Sequence, residues 1–212
     1  MSGCCHNDCS LDKLREKQKS TLIIVFVINA VMFFVVSIAA FYGNSTSLLV
    51  DSVDNFGDAL TYALSIYAVA GTVTTKAKIA LFKGWLILLA SFIIIAQIIY
   101  KLFVPSVPIF EIMGIFSFLG IIANSICFAL LWRHRNEDIN MSSVWECSRN
   151  DIASNISVFI GAGIVWATGS GWADIIIAMA LVWLLTRSAM RIISSAKIEL
   201  KAQASQKTSG HQ

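Results

Sequence analysis

Charge is scarce in this sequence. Only 14% of its 212 residues are Asp, Glu, Lys or Arg, whereas a soluble domain of that length carries about a quarter. With 57% hydrophobic residues and a mean hydropathy of +0.73, the chain falls outside the water-soluble class. Long polar stretches are missing as well. Once the apolar runs are set aside, nothing remains that would fold as a sizeable soluble domain, which excludes a sensor acting through a soluble output domain. An intramembrane metalloenzyme would need a base or nucleophile beside its metal. No H-E-x-x-H or similar helix motif is present, so no enzymatic activity is expected. There is no clear sequence repeat and no low-complexity tract.

What is present is a series of apolar segments near Thr21–Tyr42, Ser47–Gly71, Ile79–Leu102, Ile112–Trp132, Ser143–Thr168 and Trp172–Ser194. A membrane span needs about 20 mostly apolar residues, and all six are long enough. Continuous apolar runs of this length suit helices and exclude a β-barrel. The fold expected is an all-α polytopic membrane protein with six transmembrane helices in the lipid bilayer. Residues 1–20 form a polar leader, 21–195 the six-helix membrane domain, and 196–212 a short polar tail with no C-terminal domain. The first segment is not a cleaved signal peptide, because a long charged stretch precedes it and no clear small-residue cleavage site follows.

Basic residues give the orientation. Lys13, Arg15, Lys17 and Lys19 precede segment 1, and Lys76, Lys78 and Lys83 surround the second-to-third connection. Arg133 and Arg135 follow segment 4, and Arg187, Arg191, Lys197, Lys201 and Lys207 lie at or beyond the end of segment 6. Lys101 alone breaks the pattern, so both termini are expected in the cytoplasm. The pI of 8.6 expresses this asymmetry and does not imply a nucleic-acid partner. Cys4, Cys5 and Cys9 would then be reduced thiols.

Segment 2 carries Asp51, Asp54 and Asp58 within eight residues. Each bare carboxylate at membrane depth costs at least about 2.5–3.5 kcal/mol. At 100° per residue Asp51, Asp54, Asn55, Asp58, Thr61, Tyr62 and Ser65 fall within roughly a third of the helix circumference, a stripe that must face the bundle interior or a water-filled cavity. Asp54 and Asp58, spaced i, i+4, can converge on one point, and Asp51 lies one turn further toward the external mouth. In segment 5 a second face holds Cys147, Asn150, Asp151 and Ser154, with Arg149 opposite and able to snorkel to the surface. Two such pairs meeting between helices supply four ligands, enough for a tetrahedral site. Three carboxylates and a thiolate call for a cation to offset their repulsion, and a divalent metal binding there expels protons.

At these residues the sequence resembles the cation diffusion facilitator family of metal/proton antiporters. That family's second helix carries His-x-x-x-Asp, and here "VDSVDNFGD" has Asp54 at the His position and Asp58 at the Asp. Its fifth helix carries another His-x-x-x-Asp, and here Cys147 stands at the His and Asp151 at the Asp. "GIIANS" in segment 4 is similar to the family's Gly-x-x-x-Asn, and "GWADIIIA" in segment 6 to its Asp-containing opening. The departures are the missing histidines, the absence of a His-rich loop between helices 4 and 5, and the absence of the cytoplasmic C-terminal domain, as in a short branch of the family.

The resemblance implies a transport site of Asp54, Asp58, Cys147 and Asp151, with Asn150 or Asn155 substituting should Cys147 not ligate. Asp51 is read as a mouth or gating residue, or simply a wetted one, rather than a direct ligand. Asp174 either caps its own helix or lines the outer vestibule. Asn29 and Asn124 are expected to make interhelical hydrogen bonds, and Cys127 to be core. The leader's Cys4, Cys5, His6 and Cys9 form either a capture site for soft metal or plain leader. A thiolate among carboxylates leans to Zn²⁺ or Cd²⁺, with Co²⁺ next, and without it Mn²⁺ or Fe²⁺ is favoured. The implied function is proton-coupled efflux from a bacterial inner membrane, by a homodimer joined through its membrane helices. No resident cofactor is implied, only the transported metal and protons as counter-ion. The rival reading is a cation or proton channel.

Overall fold

Backbone amides in a long apolar run find no water to bond, so each run closes its hydrogen bonds internally as a helix. The computed structural model describes the backbone of residues 4–68, 73–132 and 139–209, and their side chains except 4–18, 65, 67–68, 73, 75–76, 139–147 and 204–209. The described backbone forms α1 (Cys4–Tyr42), α2 (Thr46–Ala68), α3 (Val73–Phe103), α4 (Phe110–Trp132), α5 (Ile139–Thr168) and α6 (Trp172–Ser209). The stretches expected as a polar leader and tail continue these helices: α1 starts at Cys4 and α6 runs to Ser209.

Five stretches, Lys19–Tyr42, Ala77–Phe103, Phe110–Trp132, Ser148–Thr168 and Trp172–Gln203, are long and apolar enough to cross a membrane. The exception is α2, which carries the three aspartates. It is also the helix that touches every other one: α1, α3, α4, α5 and α6 all pack against it. Elsewhere α1 packs on α4, α4 on α5, α3 on α6 and α5 on α6. The most polar helix is therefore the central one, where neighbours rather than lipid surround its carboxylates.

The outer faces of its neighbours are apolar. On α1, Val25, Met32 and Val36 face inward, while Val31, Phe34, Ile38 and Phe41 are exposed. Phe82, Trp85, Phe92, Ile115, Trp166 and Trp183 continue this exposed apolar girdle on other helices. Small residues allow close approach inside. At Gly84 of α3 an added Cβ would lie 2.6 Å from Ile193 Cγ1 of α6.

The α1–α2 turn is tight. Asn44 has φ +48°, and the Ser45 amide reaches back to the Ala40 carbonyl at 3.0 Å, the 6→1 bond of a Schellman ending in which one left-handed residue closes the helix. Ser45 Oγ then accepts from the Leu48 amide at 3.2 Å as the α2 N-cap.

Candidate functional site

The start of α2 is fixed by a residue from a distant part of the chain. Asp174, in the first turn of α6, was read as capping its own helix or lining a vestibule. Its carboxylate instead accepts from the Thr46 amide at 2.8 Å and the Ser47 amide at 2.9 Å. The hydroxyls of Ser45 and Ser47 donate to it as well, at 2.8 and 2.6 Å. Asp174, only 1% exposed, thus satisfies first-turn donors of α2 that its own backbone leaves open. Lys101, the basic residue that broke the charge asymmetry, lies 3.6 Å from Asp174 and donates to the Asn44 carbonyl. It is buried as an ion-pair partner, so it does not act as an orientation signal. Together these contacts tie the ends of α1, α2, α3 and α6 into one knot.

From this anchored end α2 presents its polar stripe to α5. Asp51, Asn55 and Tyr62 are buried, while Asp54 and Asp58 are partly buried. On α5 the buried positions Ser148, Asp151, Asn155, Val158 and Ala162 recur at helical spacing. Asn150 is exposed and lies off this stripe, contrary to the grouping of Cys147, Asn150, Asp151 and Ser154 on one inward face.

Two cross-helix pairs result. Asn155 Nδ2 donates to Asp51 Oδ1 at 3.0 Å and to the Asp151 carbonyl at 3.0 Å. About two turns along α2 and one along α5, the Asp58 side chain comes within interaction distance of Asp151. Numbers rise on one helix as they fall on the other, as antiparallel packing requires. Asp51 was read as a mouth or gating residue, or simply a wetted one; at 3% exposed it is not wetted, and its carboxylate bonds Asn155. Asp54 lies between the pairs, within electrostatic reach of Asp51, Asp58 and Lys83.

Asn155 fits because Gly120 of α4 leaves it room: a Cβ at Gly120 would sit 2.0 Å from Asn155 Oδ1. The glycine of "GIIANS" thus receives a side chain from α5. Asn124, four residues on, gives its backbone carbonyl to Ser148 Oγ at 3.2 Å. Asn29 of α1 donates to the Val25 carbonyl and reaches the buried Cys127 of α4, with Nδ2 to Sγ 3.9 Å.

Among the described residues, Asp51 Oδ2 and Asn155 Oδ1 are buried without a hydrogen-bond partner. Two such oxygens on bonded residues are suited to a cation. Among the same residues no three His, Cys, Asp or Glu side chains are grouped closely enough to hold a metal ion. The Cys147 side chain lies outside the described residues, as do the side chains of Cys4, Cys5, His6 and Cys9.

The sequence reading missed Lys83. It was counted among the basic residues around the second-to-third connection, yet it is 7% exposed, donates to Thr61 Oγ1 of α2 and acts electrostatically on Asp54 and Asp58. The signal available was its position four residues into the apolar segment that begins near Ile79.

Comparison with known proteins agrees with this architecture. The family described as the cation efflux transmembrane domain matches residues 22–200. Zinc transporter ZitB of Yersinia pestis is 23% identical over 209 residues, covering 91% of this chain and 66% of that protein. ZitB of Yersinia pseudotuberculosis serotype I (strain IP32953) is 22% identical with the same coverage. The chain thus spans a little under two thirds of these curated relatives. The family consists of multi-pass membrane transporters, not enzymes. A polar central helix walled by apolar ones, matched over residues 22–200, places the chain in the cation efflux family, the cation diffusion facilitators.

Proposed function

We propose that the chain exports divalent transition-metal cations from the cytoplasm, Zn²⁺ and Cd²⁺ first and Co²⁺ next, by proton-coupled alternating access. In this reading six helices cross a bacterial cytoplasmic membrane with both termini inside, and two copies pair through their membrane helices. Asp54, Asp58, Asp151 and Cys147 bind the cargo. The observation that carries the reading is the meeting of Asp58 and Asp151 across α2 and α5. A carboxyl pair that can share one proton is a site where a metal cation and a proton compete. Metal arriving from the cytoplasm takes the carboxylate oxygens and releases the proton. Once the helices rock and the site opens outward, an incoming proton restores the pair and the metal leaves. The name of the ZitB relatives supports zinc as cargo.

The test is Zn²⁺ uptake into inverted vesicles under an imposed proton gradient. Uptake should saturate with Zn²⁺ and collapse when a protonophore is added. Uptake unchanged by the protonophore contradicts the coupling, and unsaturable current points to a channel.

One observation favours a second cargo class. The cross-helix ladder of Asp51, Asn155, Asp58 and Asp151 offers oxygen donors only, which suits Mn²⁺ or Fe²⁺ if Cys147 does not ligate.

A further inference from the structure

Lys83 occupies a position that neither its sequence context nor the transport reading explains. It rises from α3 next to Gly84, where α3 is seated tightly on α6, so the backbone that carries it is fixed in place. Its ammonium donates to Thr61 Oγ1 on α2. The Thr61 hydroxyl hydrogen is already committed to the Gly57 carbonyl at 2.9 Å, so the oxygen is oriented to accept from the lysine. Thr61 lies three residues after Asp58 and seven after Asp54, on the same face of α2. Thr61 is about one helical turn, roughly 5 Å of axial rise, beyond Asp58, and the ammonium acts electrostatically on both Asp54 and Asp58. A lysine head is a compact point charge on a flexible four-carbon stem, long enough to cover that distance by rotating side-chain bonds.

We propose that Lys83 is a tethered cation of the transport site, advancing to the Asp54 and Asp58 carboxylates when the site is empty and withdrawing to Thr61 Oγ1 when a divalent cation occupies it. The proposal rests on the reading of Asp54, Asp58 and Asp151 as the cargo-binding groups. Its physical basis is the cost of leaving carboxylates uncompensated at membrane depth. After the cargo leaves, a built-in positive charge offsets part of theirs, so the empty carrier can reset without holding another metal ion. The same charge competes with cargo at binding and assists its release. Lys83 thus lowers affinity and raises turnover, and Thr61 holds its withdrawn position.

Isothermal titration of the purified full chain with Zn²⁺ alone tests this, beside Zn²⁺ transport in proteoliposomes. Lys83→Met, which keeps the stem and removes the charge, should bind Zn²⁺ about tenfold more tightly, since a like charge one turn away has been removed, and should transport more slowly. Lys83→Arg should stay within about twofold of wild type because the charge is retained. Thr61→Val removes the withdrawn position without changing volume much and should weaken Zn²⁺ binding several-fold, opposite in sign to Lys83→Met. Loss of a merely structural contact would not tighten binding. If Lys83→Met does not fold, Thr61→Val decides the matter: weakened binding supports the proposal and unchanged binding overturns it. Folded Lys83→Met with unchanged or weaker Zn²⁺ affinity overturns it directly. Asp58→Ala separates the two levels. If it abolishes binding while Lys83→Met changes nothing, the lysine role alone falls. If it binds Zn²⁺ as wild type does, the site reading fails, and the lysine proposal with it.

Discussion

Asn155 on α5 donates its side-chain amide to Asp51 on α2 at 3.0 Å, and both residues are buried. The bond fixes the axial register of two antiparallel helices, and that register brings Asp151 to Asp58. Asn155→Ala removes the donor and leaves Asp51 buried without it. Losing one partner of a buried bond costs roughly 1–3 kcal/mol. The variant is expected to melt several degrees lower in detergent and to transport more slowly, because the Asp58–Asp151 pair loses its alignment. Asn155→Asp sets two carboxyl groups against each other and should be impaired as well.

Gly120 tests the same register from a third helix. With Oδ1 of Asn155 only 2.0 Å from the added carbon, Gly120→Ala must push the side chain off Asp51 or move α4 from α5. Overpacking of this kind costs about 1–3 kcal/mol. Transport should fall in Gly120→Ala, while Gly163→Ala, where an added Cβ meets nothing within 4 Å, should behave as wild type. Equal activity in the two variants would show that the Gly120 contact is not needed.

The knot at Asp174 makes a prediction about stability. Asp174→Ala deprives the first turn of α2 of four hydrogen bonds and leaves Lys101 buried without its anion. Breaking a buried pair from one side costs roughly 3–5 kcal/mol. The single variant should be strongly destabilised in thermal melts, and the double variant Asp174→Asn with Lys101→Met less so, since it buries no lone charge and keeps an amide acceptor.

Cys147 decides the cargo class. Cys147→Ala should lose Cd²⁺ transport preferentially over Mn²⁺, measured ion by ion in proteoliposomes, because a soft ligand is removed and oxygen ligands remain. Unchanged Cd²⁺ transport in that variant would remove the thiolate from the site and favour the oxygen-only reading.

Periodicity made part of this site legible and hid the rest. The helices and the polar face of α2 follow from 3.6-residue spacing within one segment, and Asp58 and Asp151 stood out as carboxyl groups that lipid would not accept. Spacing within a helix carries no information on how two helices are aligned or rotated against each other. For that reason the bond of Asp51 to Asn155 was not foreseen, and Asn150 was placed on a face from which packing excludes it. Asp174 was left between capping its own helix and lining a vestibule; that it caps α2 depends on contact between segments more than 120 residues apart. Lys83 was grouped with the basic residues around the loop although it falls inside the segment near Ile79–Leu102; hydropathy does not show that it turns inward to α2.

The central claim is that the carboxyl groups meeting between α2 and α5 bind the transported metal. The most direct measurement is Zn²⁺ uptake into proteoliposomes containing wild type, Asp58→Ala or Asp151→Ala, each reconstituted at equal density and checked for folding. The account predicts saturable uptake by wild type and a loss of at least about tenfold in both variants, the least expected when an interaction of about 1.4 kcal/mol or more is removed. Wild-type uptake rates in folded Asp58→Ala or Asp151→Ala would contradict it.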